Sequence, residues 1–340
     1  MFRLLFTFIT IPYGIIPAMT FESRAKSAVL IANERAGSGT ALALSKRIQT
    51  ETGITTIPFL SAIHAQTESE LLEQFTAEQV VYAFVISGDG GALSFIQWLL
   101  EKQLTKKYVV TALGRGGENV VSKRTNTFAH PQDSVYQVLN GKTDSQLVIP
   151  QSVSVADKRA PFLWGVHGGV SADVLKHIED TRVSKGNVSR RYSAVLRAVL
   201  EAKTSDPTLV RLNASEEEEV WDMGVISAAF PYWTSLFQLP QQPQAVATLQ
   251  TLGAFDELQK NTASYIARLL LELTTLGTKL ERFVERKILQ HQPLYPGYTV
   301  AVTAPRLAVD SEVIPENSAV IKDDQTFPGY GNVFLTHIND

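Results

Sequence analysis

The sequence predicts an α/β protein that opens with a parallel sheet and divides into two domains. Three observations carry that prediction. A strand-length apolar run, a glycine-bearing turn and a helical stretch follow one another three times in the first 120 residues. The alternation is lost after about residue 145. At 340 residues, 44% of them hydrophobic and 19% charged, the chain also has enough apolar surface for two cores.

Residues 1–20 form a hydrophobic segment with one charge, Arg3, broken by Pro12, Gly14 and Pro17. A signal peptide, a membrane anchor and a presequence all fit it, so it reads as a membrane or targeting segment. The first unit is Ser27–Ala32 as strand, Asn33–Gly39 as turn and Thr40–Gln49 as helix. The second is Val80–Ile86, Ser87–Gly91 and Ala92–Lys102, and the third pairs Tyr108–Leu113 with the turn Gly114–Asn119.

Asn140–Ser145 reads as a linker, which gives a nucleotide-binding domain at 26–145 and a second domain at 146–340. Gln146–Val155 and Pro161–Val166 open that second part as strands. The acidic run Glu216–Glu219 reads as a solvated loop, and about Leu249 to Leu289 as a long packing helix. Tyr298–Thr303, Arg306–Val309, Ala319–Lys322 and Val333–Leu335 read as further strands.

Composition excludes several functions. Thirty-one basic residues against 34 acidic ones leave a charge of −3, so no general basic field invites nucleic acid. There is no cysteine, and six scattered histidines form no H-E-x-x-H pair, so no resident metal site is expected. What remains is local anion chemistry. Glycine turns between a strand and a helix present backbone N–H groups at the positive end of the helix, which suits phosphate oxygens. Asp89, between Gly88 and Gly90, is placed to orient Mg²⁺ or to accept a proton.

The order of these motifs resembles one family. Asn33-Glu-Arg-Ala-Gly-Ser-Gly39 resembles the N-P-x-x-G-x-G turn of lipid kinases, and Ser87-Gly-Asp-Gly90 resembles their G/S-G-D-G signature. Ala112-Leu-Gly-Arg-Gly-Gly-Glu-Asn119 stands where they carry P-x-G-(S/T)-x-N, and Gly169–Val174 looks like their G-F-x-A-D/E-V strand. Arg182 and Arg191-Tyr192 match an R…G…R-F/Y segment, and Asp310-Ser-Glu312 matches a late D-G-E motif. From about residue 26 onward the chain therefore resembles a divergent member of the diacylglycerol-kinase and sphingosine-kinase superfamily.

That resemblance implies a Rossmann-like nucleotide domain followed by a β-rich sandwich domain, the NAD-kinase and diacylglycerol-kinase architecture. It implies ATP and Mg²⁺ as cofactors, with Asn33, Gly37, Ser38, Gly39, Ser87, Gly88, Gly90, Gly114, Gly116, Asn119, Arg182, Arg191 and Glu312 on the nucleotide side. Asp89 or Asp310 becomes the general base, Asp89 first, and Asp173 faces the substrate. Leu175 stands where sphingosine kinases carry an aspartate, which favours a neutral lipid: diacylglycerol, monoacylglycerol or a ceramide-like acceptor. An intracellular, membrane-associated protein is implied, working at a membrane surface, with a second copy or a protein-complex partner open.

Several residues depart from the pattern: Glu34, Gly91, Ser94, Trp98, Ala112, Arg115 and Ser311. They motivate a second expectation, an inactive lipid-kinase fold used for lipid binding or assembly. A nicotinamide-nucleotide kinase, with its G-G-D-G turn, is a third.

Overall fold

A computed structural model of the chain describes residues 20–72, 79–115, 119–127, 129–180, 197–198, 201, 206–228, 232–234, 237–238, 244–254, 289–310 and 312–338. The apolar N-terminal segment lies outside them. So do Gly116, Arg182, Arg191, Ser311 and most of the stretch read as a long helix. Among the described residues no helix is long and apolar enough to cross a membrane.

Short helix α1 (Phe21–Lys26), capped by the Thr20 hydroxyl, leads into β1 (Ala28–Ala32). A 3₁₀ turn, Ala36–Gly39, hands the chain to α2 (Thr40–Thr52), which stops at Gly53 in the left-handed conformation (φ 72°). Then come β2 (Thr55–Pro58), α3 (Phe59–His64), α4 (Glu68–Leu72), β3 (Val80–Ser87), α5 (Asp89–Glu101), β4 (Lys107–Gly114), α6 (Val120–Arg124), α7 (Pro131–Leu139) and β5 (Asp144–Leu147).

β1 to β4 pair in parallel, in the order β2-β1-β3-β4. All eight residues of β3 are buried, and its sequence is an unbroken apolar run, because helices cover both faces. On one face Val29, Ile31, Val81, Ala83 and Val85 pack with Phe59 of α3 and with Leu93, Phe95, Ile96 and Leu100 of α5. On the other, Leu30, Tyr82, Phe84 and Ile86 meet Ala41 and Ile48 of α2 and Val135, Val138 and Leu139 of α7.

The expected strand Gln146–Val155 divides at Val148–Pro150: its first part is β5, and its second, β6 (Gln151–Val155), begins another sheet. Likewise Pro161–Val166 divides at Leu163–Trp164 into β7 (Lys158–Phe162) and β8 (Gly165–Gly169). α8 (Val170–Asp180) follows β8 directly, so the expected strand Gly169–Val174 is a helix from its second residue. The left-handed Gly169 (φ 81°) makes that turn, and the Asp222 carboxylate caps it by accepting from the Ser171 N–H (2.8 Å) and hydroxyl (2.7 Å).

The remaining elements are β9 (Thr208–Leu212), β10 (Glu218–Ser227), the hairpin of β11 (Tyr232–Thr234) with β12 (Phe237–Gln238), β13 (Ala247–Ala254), β14 (Leu289–Leu294), β15 (Thr299–Thr303), β16 (Leu307–Val309), β17 (Glu312–Ile314), β18 (Ser318–Asp323) and β19 (Val333–His337). Leu249–Ala254 and Leu289, the ends of the stretch read as helix, are therefore strand, paired to each other and to β10. The acids Glu216 and Glu217 are exposed loop as expected, and Glu218 and Glu219 are exposed at the start of β10.

β6–β10 and β13–β18 form one eleven-stranded sheet whose pairings are all antiparallel. Val166, Met223, Val225, Leu249, Val300, Val302 and Ile321 line its apolar core. β19 then crosses back and inserts between β4 and β5, parallel to the first and antiparallel to the second. The architecture is thus the expected one, a parallel Rossmann-like sheet followed by a β-rich half.

Candidate functional site

In the parallel sheet the chain leaves β1 through α2 toward β2 on one side, and leaves β3 through α5 toward β4 on the other. Strands β1 and β3 are neighbours, so a crevice opens beyond their carboxyl ends, the position at which open α/β sheets bind ligands. Asn33 and Ser87 end these two strands. The Asn33 N–H donates to the Ile86 carbonyl (3.0 Å), its side-chain amide donates to the Ser87 hydroxyl (3.2 Å), and its side-chain oxygen accepts from the Arg35 N–H (3.1 Å). One residue thereby fixes both strand ends and the turn that follows.

Both helices that leave the crevice begin at glycine. Gly39 (φ 90°) precedes α2 and Gly88 precedes α5, each without a side-chain cap. The positive ends of two 13-residue helices therefore face the same opening. A β-carbon on Gly90 would meet nothing within 4 Å, so the approach to the α5 terminus is open there. A β-carbon on Gly91 would collide with the Ser87 side chain, which accounts for glycine where the lipid kinases carry a larger residue.

Asp89 opens α5 and is half-buried. One carboxylate oxygen accepts from the Val121 N–H (2.9 Å), at the start of α6, after the left-handed Asn119 (φ 54°). The third glycine turn closes on the first two: the Arg115 N–H donates to the Ser87 carbonyl (2.7 Å), and a β-carbon on Gly37 (φ 56°) would stand 2.9 Å from the Arg115 carbonyl oxygen. The half-buried Arg115 guanidinium donates to the Gly114 carbonyl (3.1 Å). Burial lowers its pKa from the usual value, yet an arginine stays cationic at neutral pH.

No protein-family model matches the sequence, and no curated protein matches it. Solved structures do. A diacylglycerol kinase from Bacillus anthracis Sterne superposes with a TM-score of 0.54 at 12% identity, over 93% of this chain and 97% of its own. Two structures described as candidate diacylglycerol kinases of the same organism give TM-scores of 0.57 and 0.55 at 13% and 14% identity, with the same coverage. The chain has the diacylglycerol-kinase fold.

Within that fold the expected site residues fall into separate groups. Asn33, Gly37, Gly39, Ser87, Gly88, Asp89, Gly90, Gly114 and Asn119 converge at the carboxyl ends of β1, β3 and β4. Asp310 lies elsewhere, between β16 and β17, buried and in the left-handed conformation (φ 45°). Its carboxylate accepts from the backbone N–H groups of Leu163 (2.8 Å), Trp164 (2.7 Å) and Gly165 (3.0 Å) and from the side-chain amide of Gln97 (2.6 Å). Burial pushes its pKa up to about 6 against the pull of those four donors. Four donors occupy the four lone-pair directions of a carboxylate, so Asp310 acts as a clamp between α5 and the β7–β8 turn.

Asp173, in the first turn of α8, is buried and ion-paired with Arg306. Glu312 starts β17 and is exposed. Gly116, Arg182 and Arg191 lie outside the described residues, as does the side chain of Ser38.

Gln97 and Asp222 were not expected from the sequence. Gln97 had a signal, a lone amide within Phe-Ile-Gln-Trp-Leu-Leu, a helical segment otherwise apolar. Asp222 caps a helix 51 residues earlier and left none.

Among the described residues no cluster of three or more His, Asp or Glu side chains could hold a metal ion. The crevice does fit a nucleotide whose phosphates bring their own Mg²⁺: the positive ends of two helices, one carboxylate and one guanidinium are the groups such a ligand needs.

Proposed function

We propose that this chain is a phosphotransferase that uses Mg·ATP to phosphorylate a hydroxyl of a neutral lipid. The observation that carries the reading is Asp89 at the head of an uncapped α5, facing the crevice between β1 and β3. In this reading the amides at the starts of α2 and α5 hold the phosphates, and Arg115 offsets charge on the transferring group. Mg²⁺, when bound, neutralises the β- and γ-phosphate oxygens. Asp89 orients the acceptor hydroxyl and takes its proton as the oxygen bonds to the γ-phosphorus and the bond to the ADP oxygen breaks. Val121 N–H fixes the carboxylate for that task.

The lipid would be met at a membrane surface inside the cell, with residues 1–20 supplying apolar attachment. Removing residues 1–20 is expected to shift the protein from the membrane to the soluble fraction. Unchanged fractionation would refute that role for the segment.

Isothermal calorimetry with Mg·ATP, followed by turnover on a neutral lipid, tests the reading. Asp89→Asn is expected to keep nucleotide binding and lose about 10²- to 10⁴-fold in turnover, the usual contribution of a positioned base. Full activity in Asp89→Asn would remove Asp89 from the role.

One observation favours a second reading, a non-catalytic member of the fold that binds lipid or a protein partner. Arg115 stands where the lipid kinases carry a small hydroxyl residue, and its backbone packs on Gly37 inside the phosphate crevice. If Arg115 blocks the nucleotide, Mg·ATP binds only after Arg115→Ser. If it serves as a counter-charge, the same substitution weakens binding.

A further inference from the structure

Where α5 meets the antiparallel half, the junction is built around one carboxylate. Oδ1 of Asp310 accepts from the Trp164 N–H (2.7 Å) and the Gly165 N–H (3.0 Å), and Oδ2 accepts from the Leu163 N–H (2.8 Å) and from Nε2 of Gln97 (2.6 Å). The three backbone donors belong to the antiparallel half, as Asp310 itself does, and the Asp310 N–H donates to the Gly165 carbonyl (2.8 Å). The fourth donor, Gln97, comes from α5. The same Gln97 nitrogen donates to the Pro161 carbonyl (3.3 Å), so one amide makes two bonds across the junction.

All four groups that bond the carboxylate are donors, so a proton on Asp310 brings a further hydrogen that needs an acceptor. A backbone N–H cannot become one. A glutamine amide can, because half a turn about its last bond exchanges NH₂ for oxygen in nearly the same shape. The proton therefore belongs on Oδ2, the oxygen that Gln97 faces, and the amide turns its Oε1 toward it. That turn puts an oxygen where Nε2 stood, opposite the Pro161 carbonyl. Two acceptors share no hydrogen, and the bond to Pro161 is lost.

Burial, against the pull of the four donors, sets the Asp310 pKa at about 6, so the two states exchange between about pH 5 and 7. The charged and titratable groups on the surrounding elements are Asp89 and Glu101 of α5, Lys158 and Arg159 of β7, His167 of β8, Arg306 just before β16 and Glu312 of β17. None of them contributes to the shift. The folded chain holds this proton more tightly than the unfolded chain, so its uptake does not weaken the fold as a whole. What it removes is one contact between the halves.

We infer that Asp310 and Gln97 form a proton-operated latch: ionised Asp310 holds the Gln97 amide on both Asp310 and Pro161, and protonated Asp310 reverses the amide and frees Pro161. The latch needs no nucleotide in the crevice and stands apart from the phosphotransferase reading.

Nuclear magnetic resonance of the full chain, isotope-labelled in nitrogen and carbonyl carbon and titrated from about pH 4.5 to 8, tests this. The Leu163, Trp164 and Gly165 N–H signals report the charge on Asp310. The Gln97 side-chain nitrogen, identified by its loss in Gln97→Met, and the Pro161 carbonyl, read through the Phe162 N–H, report the latch. In wild type all five signals are expected to move together with one midpoint near pH 6, the carbonyl carbon moving upfield as its bond is lost on acidification. In Gln97→Met the Pro161 carbonyl is expected to stay at its acid-end position at every pH. Should that variant not fold, the wild-type backbone and Pro161 signals still decide. Backbone signals that titrate while the Pro161 carbonyl stands still would overturn the latch, since the carboxyl then gains its proton without turning the amide. No movement in any of the five would overturn it as well, and so would a Pro161 carbonyl that still titrates in Gln97→Met.

Discussion

Two buried titratable side chains of the antiparallel half act in opposite directions with pH. His167 has its pKa lowered by burial from the usual 6.5 to about 4, so the unfolded chain binds its proton first and stability is lost as pH falls from about 6.5 to 4. Asp310 has its pKa raised from 3.8 to about 6, so the folded chain binds that proton first and stability is lost as pH rises across the same range. The two nearly cancel in wild type. In His167→Phe only the Asp310 contribution remains. The stability of the variant minus that of wild type should therefore grow by on the order of 3 kcal/mol between pH 6.5 and 4. Urea titrations at four or five pH values measure this, and a flat difference would mean that folding leaves the His167 pKa unshifted. Asp310→Ala tests the clamp separately. Leaving the Leu163, Trp164 and Gly165 N–H groups without an acceptor is expected to cost on the order of 4 kcal/mol at neutral pH, and a loss under 1 kcal/mol would show that water replaces the carboxylate.

Among the elements, α5 joins the two halves of the molecule. It packs on the parallel sheet through Leu93, Phe95, Ile96 and Leu100, and reaches the antiparallel sheet through Gln97, which donates to Asp310 and to the Pro161 carbonyl (3.3 Å). Its C-terminal end carries the turn before β19, where the Gly329 N–H donates to the Leu100 carbonyl (3.0 Å). A β-carbon on Gly329 would run into the Leu99 carbonyl oxygen and come within 2.9 Å of the Leu100 Cα, both backbone atoms that cannot move aside. Gly329→Ala should therefore cost about 1–3 kcal/mol, read as a lower urea midpoint with an unchanged slope.

The three β-turn-α units and their order were legible in the sequence, because β1, β3 and, beyond Lys107, β4 are buried on both faces and read as largely apolar runs. Asn33, Ser87 and Asp89 were legible with them, being placed by adjacent strand ends. What was hidden depends on contacts distant in sequence. Val170–Asp180 becomes a helix because Asp222 caps it, and Leu249–Ala254 becomes a strand because β10 and β14 flank it. Short apolar segments suit either state until a partner decides. Asp310 was found as an acid, but its four donors come from residues 97 and 163–165 and no local pattern announces them.

At the scale of the molecule, chain order and spatial order part at the C-terminus. After eleven strands of antiparallel sheet, β19 returns to the parallel sheet and supplies Val333, Phe334 and Leu335 to its two apolar layers. Thr111 and Thr336, both fully buried, are hydrogen-bonded across that junction at 2.9 Å, and the Val148 N–H donates to the Val333 carbonyl (2.9 Å). The parallel sheet cannot close its order β4-β19-β5 until the chain has passed through the other half. This leads to two expectations. Unfolding should be one cooperative transition, reported alike by Trp98 on α5 and by Trp221 on the antiparallel side, because β19 and the Asp310 clamp tie the halves together. A chain ending at residue 325 should lose the parallel sheet as well as the strand, since it uncovers Val110 and Leu147 and leaves the edge of β4 unpaired. Single-tryptophan variants followed through urea unfolding test the first. Two separated midpoints would show that the halves fold independently, and the truncated chain would then retain the stability of its antiparallel sheet.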